Sequence, residues 1–365
     1  MRQTEVAIVG AGPAGLSAAI EVAGAGCKVV LIDENERPGG QLFKQIHKFF
    51  GSRAHHAGVR GIDIGKQLLD DVGHSGVQVM LGTVVWGIFR DGALGIIHNR
   101  KNLLLKARKT LLAAGATENA LAFPGWTLVG VMGAGAIQTM VNVHRVLPGK
   151  RVLMIGSGNV GLIVSYQLLQ AGAEVVGIVE AAPKIGGYAV HASKVRRSGV
   201  PIWTSTTVRE ARGTERVEQA VLVQLDAAWQ PIEGTEREYD VDVICVACGL
   251  SPLSELARMA GCKFEFVPAL GGHMPLHDRN METSLDGIYV AGDIAGIEEA
   301  STAMEEGRLA GIAMAESLGH LGSAEAAGKK AAVLKRLYEL REGPFGSARR
   351  EAKERVQRSA AKWRY

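Results

Sequence analysis

The 365-residue chain is 47% hydrophobic and 21% charged, enough to bury one large core or two moderate ones. A net charge of +4 leaves no chain-wide nucleic-acid footprint, and 47 glycines without a repeating period exclude collagen-like and low-complexity readings. No apolar run approaches the roughly 20 residues of a membrane helix. A strand pattern begins within a few residues of Met1, and Cys27, Cys245, Cys248 and Cys262 form no disulfide framework, so a soluble cytoplasmic protein is the expectation.

The first element is a short apolar strand, Val6 to Val9, running into Gly10-x-Gly12-x-x-Gly15 and then a helix of small residues. A second strand, Val29 to Ile32, ends at Asp33. In such a turn the first glycine permits the tight bend, the second lets a pyrophosphate approach the backbone, and the third lets helix and strand pack closely. The helix N-terminus offers free N–H groups and a positive dipole end to the phosphates. Asp33, 23 residues beyond Gly10, is placed to accept a ribose hydroxyl.

Next come a helix-like stretch from Ile62 to Val72 and two strands in VQVMLGTVVWGIF. An Asp91-Gly92 hairpin turn and a return strand follow. NLLLKARKTLLAAGA reads as two further strands broken by a basic edge. A glycine-rich crossing, GATENALAFPGWTLVGVMGAGAIQTM, leads to the second complete motif. There Val152 to Ile155 form a strand, Gly156-Ser157-Gly158-Asn159-Val160-Gly161 the turn, and Leu162 to Ala171 the helix. A strand from Val175 to Val179 then ends at Glu180. An acid at that position favours a free ribose 2′-OH, hence NADH over NADPH, although Lys184 nearby argues the other way.

Cys245 and Cys248 lie in a buried-strand pattern ending at Gly249, and residues three apart on a strand face opposite sides. They read as two core cysteines, and no Cys pair suits dithiol redox chemistry. His273 and His277 straddle Pro275, which argues against a helical metal site, and His55-His56 in a polar loop read as solvated. No metal site and no Ser-His-Asp or paired-carboxylate arrangement is expected. Near the end, Ile288 to Ala291 form a strand that stops at Gly292-Asp293, with a helix starting near Glu299. A carboxylate there suits a ribityl chain, and the helix N-terminus suits the electron-rich edge of a flavin ring.

Together these motifs, over about residues 4 to 322, resemble the two-dinucleotide-binding-domain flavoproteins, with FAD in the first site and a nicotinamide nucleotide in the second. The crossing, GIVEAAPKIGG and GLSPLSELARMAGCKF are similar in wording to one branch. It holds the flavoprotein subunits of hydrogen cyanide synthase, opine oxidase, heterotetrameric sarcosine oxidase and dye-linked proline dehydrogenase. The resemblance implies an α/β fold of two Rossmann-like domains, the second inserted in the first. FAD would be held by residues 1–118 and 250–322, NAD(H) by residues 119–249, and residues 323–365 would form a basic helical tail.

It further implies FAD contacts from Gly10, Gly12, Pro13, Ala14, Gly15, Asp33, Glu34, Gly40, Gln41 and Val84. Ala114, Gly115, Gly292, Asp293, Glu299 and Ala300 complete that set. NAD contacts would come from residues 156 to 161, Glu180 and Gly249. The flavin itself would be the reactive centre, with no catalytic side chain. Electrons would pass to or from a partner subunit that oxidises a secondary amine or amino acid. A free-standing NAD(P)H:acceptor oxidoreductase and a nucleotide-holding subunit without turnover are the alternatives.

The chain departs from that branch in two places. Asn119 stands where those relatives usually show Arg, and no cysteine follows Cys262, so any iron–sulfur centre must sit on a separate protein. The tail holds 12 Lys/Arg against 4 Asp/Glu from Lys329 onward. Its two helix-like stretches, split at Gly343-Pro344, read either as a solvated basic end or as a docking element for an acidic partner.

Overall fold

The computed structural model describes residues 2–343 and 346–362 and divides into two compact units, residues 1–117 with 251–365 and residues 118–250. Trp363 and Pro344, which figured in the reading of the tail, lie outside the described residues.

The first unit opens with β1 (Arg2–Val9), whose last four residues are fully enclosed, and α1 (Pro13–Gly24). Then follow β2 (Val29–Ile32), α2 (Gly61–His74), β3 (Gln78–Met80), β4 (Thr83–Ile88), β5 (Ala93–His98) and β6 (Lys101–Leu112). Helix α2 buries Ile64, Leu68 and Val72 at four-residue spacing and leaves its charged face to solvent. The order across the sheet is β3-β2-β1-β6-β5-β4.

Strand β6 corrects the expectation of two strands broken by a basic edge. It is one strand of 12 residues with a different partner on each half, antiparallel to β5 near Lys101 and parallel to β1 through Leu112. The basic residues do not break it because their charges find acids at the surface. Lys106 lies 3.3 Å from Asp91 and Arg108 lies 3.5 Å from Glu5.

After β7 (Ala116–Glu118), the second unit is a contiguous insertion. It contains β8 (Val131–Gly133), α3 (Ala134–Gln138), β9 (Arg151–Ile155), α4 (Asn159–Gln170), β10 (Glu174–Glu180), α5 (Ala189–Arg197) and β11 (Ile202–Thr204). A meander of β12 (Thr206–Arg212), β13 (Gln219–Gln224) and β14 (Arg237–Asp240) precedes β15 (Val243–Val246). The parallel sheet runs β11-β10-β9-β15-β8. Alternation along β9 and β15 explains its two-sided core. Val152, Met154, Val243 and Cys245 pack toward the helices, while Leu153, Ile155, Ile244 and Val246 pack with Val208 and Leu222 of the meander.

The chain returns to the first unit through β16 (Leu250–Pro252), α6 (Glu255–Ala260), the hairpin β17 (Phe264–Val267) and β18 (Gly272–Pro275), and β19 (Ile288–Val290), which pairs with β6. Helix α7 (Ala300–Ser317) lies across α1 on small residues: a Cβ at Gly307 would sit 2.1 Å from the Ala14 carbonyl oxygen. Glycine there lets the two backbones touch.

The tail forms α8 (Ser323–Leu340) and α9 (Ser347–Ala361), and both pack within the first unit. Ala352, Val356 and Ala360 of α9 cover Val267, Leu270, Met274 and Leu276. Lys330, Arg336, Arg341, Arg349, Lys353 and Arg355 each meet an acid that precedes the tail. Neither a solvated end nor a free basic arm describes this arrangement. The apolar face of α9 is too small to fold alone, but it closes a core the first unit already holds.

Candidate nucleotide sites

The first turn is built around Ala11. Its N–H donates to Asp33 Oδ2 at 2.7 Å, and its carbonyl accepts the Gly39 N–H at 2.7 Å. Gly10 has φ +105°, and a Cβ on it would lie 2.2 Å from the Ala113 carbonyl oxygen, just before Ala114 and Gly115. A Cβ on Gly15 would lie 1.8 Å from the Gly10 oxygen. Gly12 differs: its Cβ would meet nothing nearer than the Gly40 Cα at 4.0 Å. The flanking glycines are therefore demanded by the fold, whereas the middle one faces open space beside the N-terminus of α1, where Pro13 occupies the first turn.

Around this turn the structure gathers most of the expected FAD residues. Gly292 approaches Ala14, whose Cβ would be 3.0 Å from one built on Gly292. Val84 follows Thr83, whose N–H donates to the Asp33 carbonyl at 2.9 Å. Glu34 and Gln41 are exposed, and Glu299 and Ala300 form the cap and first residue of α7. Asp33 is held by the protein as well: its Oδ1 accepts the backbone N–H of Asn35 at 2.8 Å. The Asn35 side-chain amide also donates to Oδ1 at 2.9 Å, so Oδ2 is the oxygen that keeps acceptor capacity for a further donor.

The Gly292–Ala295 turn carries Asp293, whose carboxyl burial pushes up to about 6 against the pull of a backbone hydrogen bond at Glu298. Beneath the turn lies a buried ionic network. The Gly292 N–H donates to Glu306 Oε2 at 3.0 Å, and Lys353 Nζ donates to Glu306 Oε1 at 2.6 Å and to the Ala295 carbonyl at 2.9 Å. Arg341 donates to Glu298 and also reaches Glu306 at 2.6 Å. Burial alone would raise the Glu306 carboxyl, but Lys353 and Arg341 outweigh it and hold the group at about 2. Enclosure, and then Lys353, push the neighbouring His277 down to about 4.

The second turn repeats the first, atom for atom in its logic. The Ser157 N–H donates to Glu180 Oε2 at 3.0 Å and the Ser157 carbonyl accepts the Gly187 N–H at 2.9 Å. A Cβ on Gly156 would lie 2.4 Å from the Ala247 oxygen, and one on Gly161 would lie 2.1 Å from the Gly156 oxygen. A Cβ on Gly158 would have no protein atom within 4 Å. Asn159 Oδ1 accepts the Tyr188 N–H at 2.9 Å, Val160 is exposed, and Gly249 follows Ala247 and Cys248 at the strand end. Gly186-Gly187 were not among the expected site residues. Their signal was there: PKIGG follows Glu180 much as ERPGG follows Asp33.

Residues 4–307 match the family model for pyridine nucleotide-disulphide oxidoreductase. The chain belongs to that family. It is an FAD-dependent oxidoreductase that binds a pyridine nucleotide. An opine oxidase subunit of Agrobacterium tumefaciens (strain Ach5) is 29% identical over 327 residues, 85% of this chain and 65% of that protein. Hydrogen cyanide synthase subunit HcnB of Pseudomonas aeruginosa is 28% identical over 358 residues, 92% of this chain and 75% of that protein. The chain thus spans about two thirds of the length of the opine oxidase protein. The solved L-proline dehydrogenase from P. horikoshii shares the fold, with a TM-score of 0.70 at 24% identity, covering 92% of this chain and 59% of that one.

Membership of this disulphide oxidoreductase family brings no redox thiol pair here. All four cysteines are free, and burial pushes each thiol up, Cys27 to about 11 and Cys245 well above its ordinary value. Thiolate chemistry is disfavoured at each. Two expectations need correction. Cys248 is exposed rather than in the core, because β15 ends at Val246 before reaching it. His55 is buried rather than solvated, with Nδ1 at 2.9 Å from Ser52 Oγ inside a short helical turn. His273 and His277 share no metal-binding group, and among the described residues no cluster of three ligand side chains exists. No described helix is long and apolar enough to cross a membrane.

Proposed function

We propose that the first unit holds FAD, the second NAD(H), and that the chain passes electrons between nicotinamide, flavin and a partner subunit oxidising an amino acid, imino acid or secondary amine. The observation that carries this reading is the twofold division of labour in the glycine turns. In each, the outer glycines meet backbone at 2.4 Å or closer, while the middle one faces space that no protein atom fills. A pyrophosphate is the group that needs such a clearing at a helix N-terminus.

In the first unit the α1 N-terminus would receive the pyrophosphate, Asp33 and Glu34 the ribose, and Asp293 the ribityl chain. Gly39, Gly40, Gln41 and Gly115 would line the flavin side, with Glu299 and Ala300 opening the helix that faces the ring. In the second unit Glu180 would accept the ribose 2′-OH, favouring NADH, while Gly249 would close the strand end. When bound, the two cofactors supply hydride transfer between nicotinamide and flavin. The protein's part is to orient both and to exclude water. A partner is supported by the relatives, which are subunits of opine oxidase and of hydrogen cyanide synthase. A cytoplasmic location fits this chemistry.

The test is anaerobic titration of the purified chain with NADH, followed by loss of the flavin's visible absorbance, combined with affinity capture from the source cell. The proposal expects stoichiometric bleaching and a co-purifying amine- or amino-acid-oxidising subunit. Bleaching without any partner would favour a free-standing NAD(P)H:acceptor oxidoreductase, and bound nucleotide without bleaching a holding subunit.

A further inference from the structure

The tail and the proposed flavin side of the first unit are joined by charges that have little access to solvent. The side chains of Lys353, Glu306, Glu298 and Arg341 are 2%, 3%, 5% and 10% exposed. Two cations thereby balance two carboxylates. The balance matters because a buried charge left alone is strongly unfavourable, whereas a matched and hydrogen-bonded set is tolerated. Lys353 has a second role that charge balance does not require. Its ammonium also holds the Ala295 carbonyl, the last residue of the short turn that begins at Gly292. Glu306, gripped by Lys353 and Arg341, in turn holds the N–H of Gly292. Both ends of the turn carrying Asp293 are therefore fastened, one directly by α9 and one through a carboxylate that α9 and the end of α8 orient.

We infer that Lys353 of α9 is a positioning residue for the FAD site: through Glu306 and the Ala295 carbonyl it holds the Gly292–Ala295 turn in the shape that presents Asp293 to the cofactor. The inference rests on the assignment of FAD to the first unit. It gives the basic C-terminal helices an inward task in place of partner docking. The turn's own sequence, GDIA, contributes one side-chain hydrogen bond, from the Glu298 backbone to Asp293, which leaves the two ends of the turn to be held from elsewhere in the chain. Loosening the turn weakens the cofactor without touching it, as loss of an outer-shell partner weakens a bound metal by about ten- to a hundredfold.

The experiment compares FAD dissociation constants of refolded or flavin-stripped protein for the parent, Lys353→Met and Arg336→Met, each measured well below its melting temperature. Arg336 is the control. It joins α8 to Glu305 of α7 at 2.8 Å, as Lys353 joins α9 to Glu306, but it touches neither end of the turn. Lys353→Met is expected to raise the FAD dissociation constant about tenfold or more and to alter the bound flavin's visible fine structure. Arg336→Met is expected to lower the melting temperature while leaving the constant within about twofold. Should Lys353→Met not fold, the charge-balanced pair Glu306→Gln with Lys353→Met serves. It leaves Glu298 with Arg341, keeps an oxygen for the Gly292 N–H, and is expected to fold with the same weakened FAD. An unchanged constant in both Lys353 variants overturns the inference, and so does equal weakening in Arg336→Met. A parent that binds no FAD instead refutes the assignment of FAD to this unit.

Discussion

Alanine at Gly12 and alanine at Gly10 should separate what the nucleotide demands from what the fold demands. At Gly10 a methyl would lie 2.2 Å from the Ala113 oxygen and 2.7 Å from its carbon, at a φ of +105°. Backbone strain of about 1–3 kcal/mol and overpacking of about 1–3 kcal/mol then add to roughly 2–6 kcal/mol. At about 2–4 °C per kcal/mol for a unit of this size, the apo protein should melt roughly 4–24 °C lower.

At Gly12 φ is −78° and the nearest protein atom would be 4.0 Å away. Loss of glycine's freedom in the unfolded chain would stabilise by about 0.4–1 kcal/mol, and a poorer helix cap would cost about as much. The apo melting temperature should therefore move by no more than about 4 °C. Its FAD affinity should nevertheless fall about ten- to a hundredfold, the equivalent of about 1–3 kcal/mol of overpacking against the pyrophosphate. Melting curves must be taken on flavin-free protein, because bound ligand stabilises by mass action. Normal FAD affinity in Gly12→Ala would refute the reasoning, as would an apo protein destabilised as much as Gly10→Ala.

Three further outcomes follow from other contacts. Glu180→Ala should narrow the preference for NADH over NADPH in flavin reduction, whereas Glu180→Gln should keep an acceptor for the Ser157 N–H and lose less; a parent that prefers NADPH would show Glu180 misread. Asp293 has its folded carboxyl raised to about 6. In the apo chain its contribution to stability is complete below the unfolded value near 3.9 and is lost as pH rises through about 6. Because a ribityl hydroxyl favours the carboxylate, FAD affinity should strengthen over that same rise. Asp293→Asn should flatten both profiles, and a pH titration of the dissociation constant decides it. A chain ending at Gly346, lacking α9, should lose FAD on gel filtration; retention of full flavin content would show α9 dispensable.

Both glycine turns, their strands and their terminal acids could be read locally, because one spacing encodes the bend, the clearing and the helix start. Gly186-Gly187 is equally local, but its meaning emerges only when the two halves of the chain are set against each other. The buried network is of another kind. Lys353 sits in a run of basic residues that looks like a solvated face, and its partners Glu298 and Glu306 lie about 50 positions earlier. No periodicity marks which lysine of a charged helix turns inward, since the choice depends on the space left by Leu270 and Met274. Strand β6 misled for a related reason: its basic centre is polar in sequence but is relieved by Asp91 and Glu5 in space.

The split of the first unit sets an order of events during synthesis. The insertion, residues 118–250, is contiguous and can complete its own core as soon as it has emerged. Strands β1 to β6 emerge earlier but must wait for β19, whose Tyr289 pairs with Leu111. At about 5–20 residues per second, that wait of roughly 170 residues lasts about 10–30 s. Throughout it the edge of β6 and the small-residue face of α1 stand open, an invitation to chaperones and to misassembly. Closure comes only with α7, α8 and α9, so on the proposed assignment FAD would enter after α9 has emerged and not while the sheet is still growing. The last of the described helices is thus the one that licenses the first motif to be read.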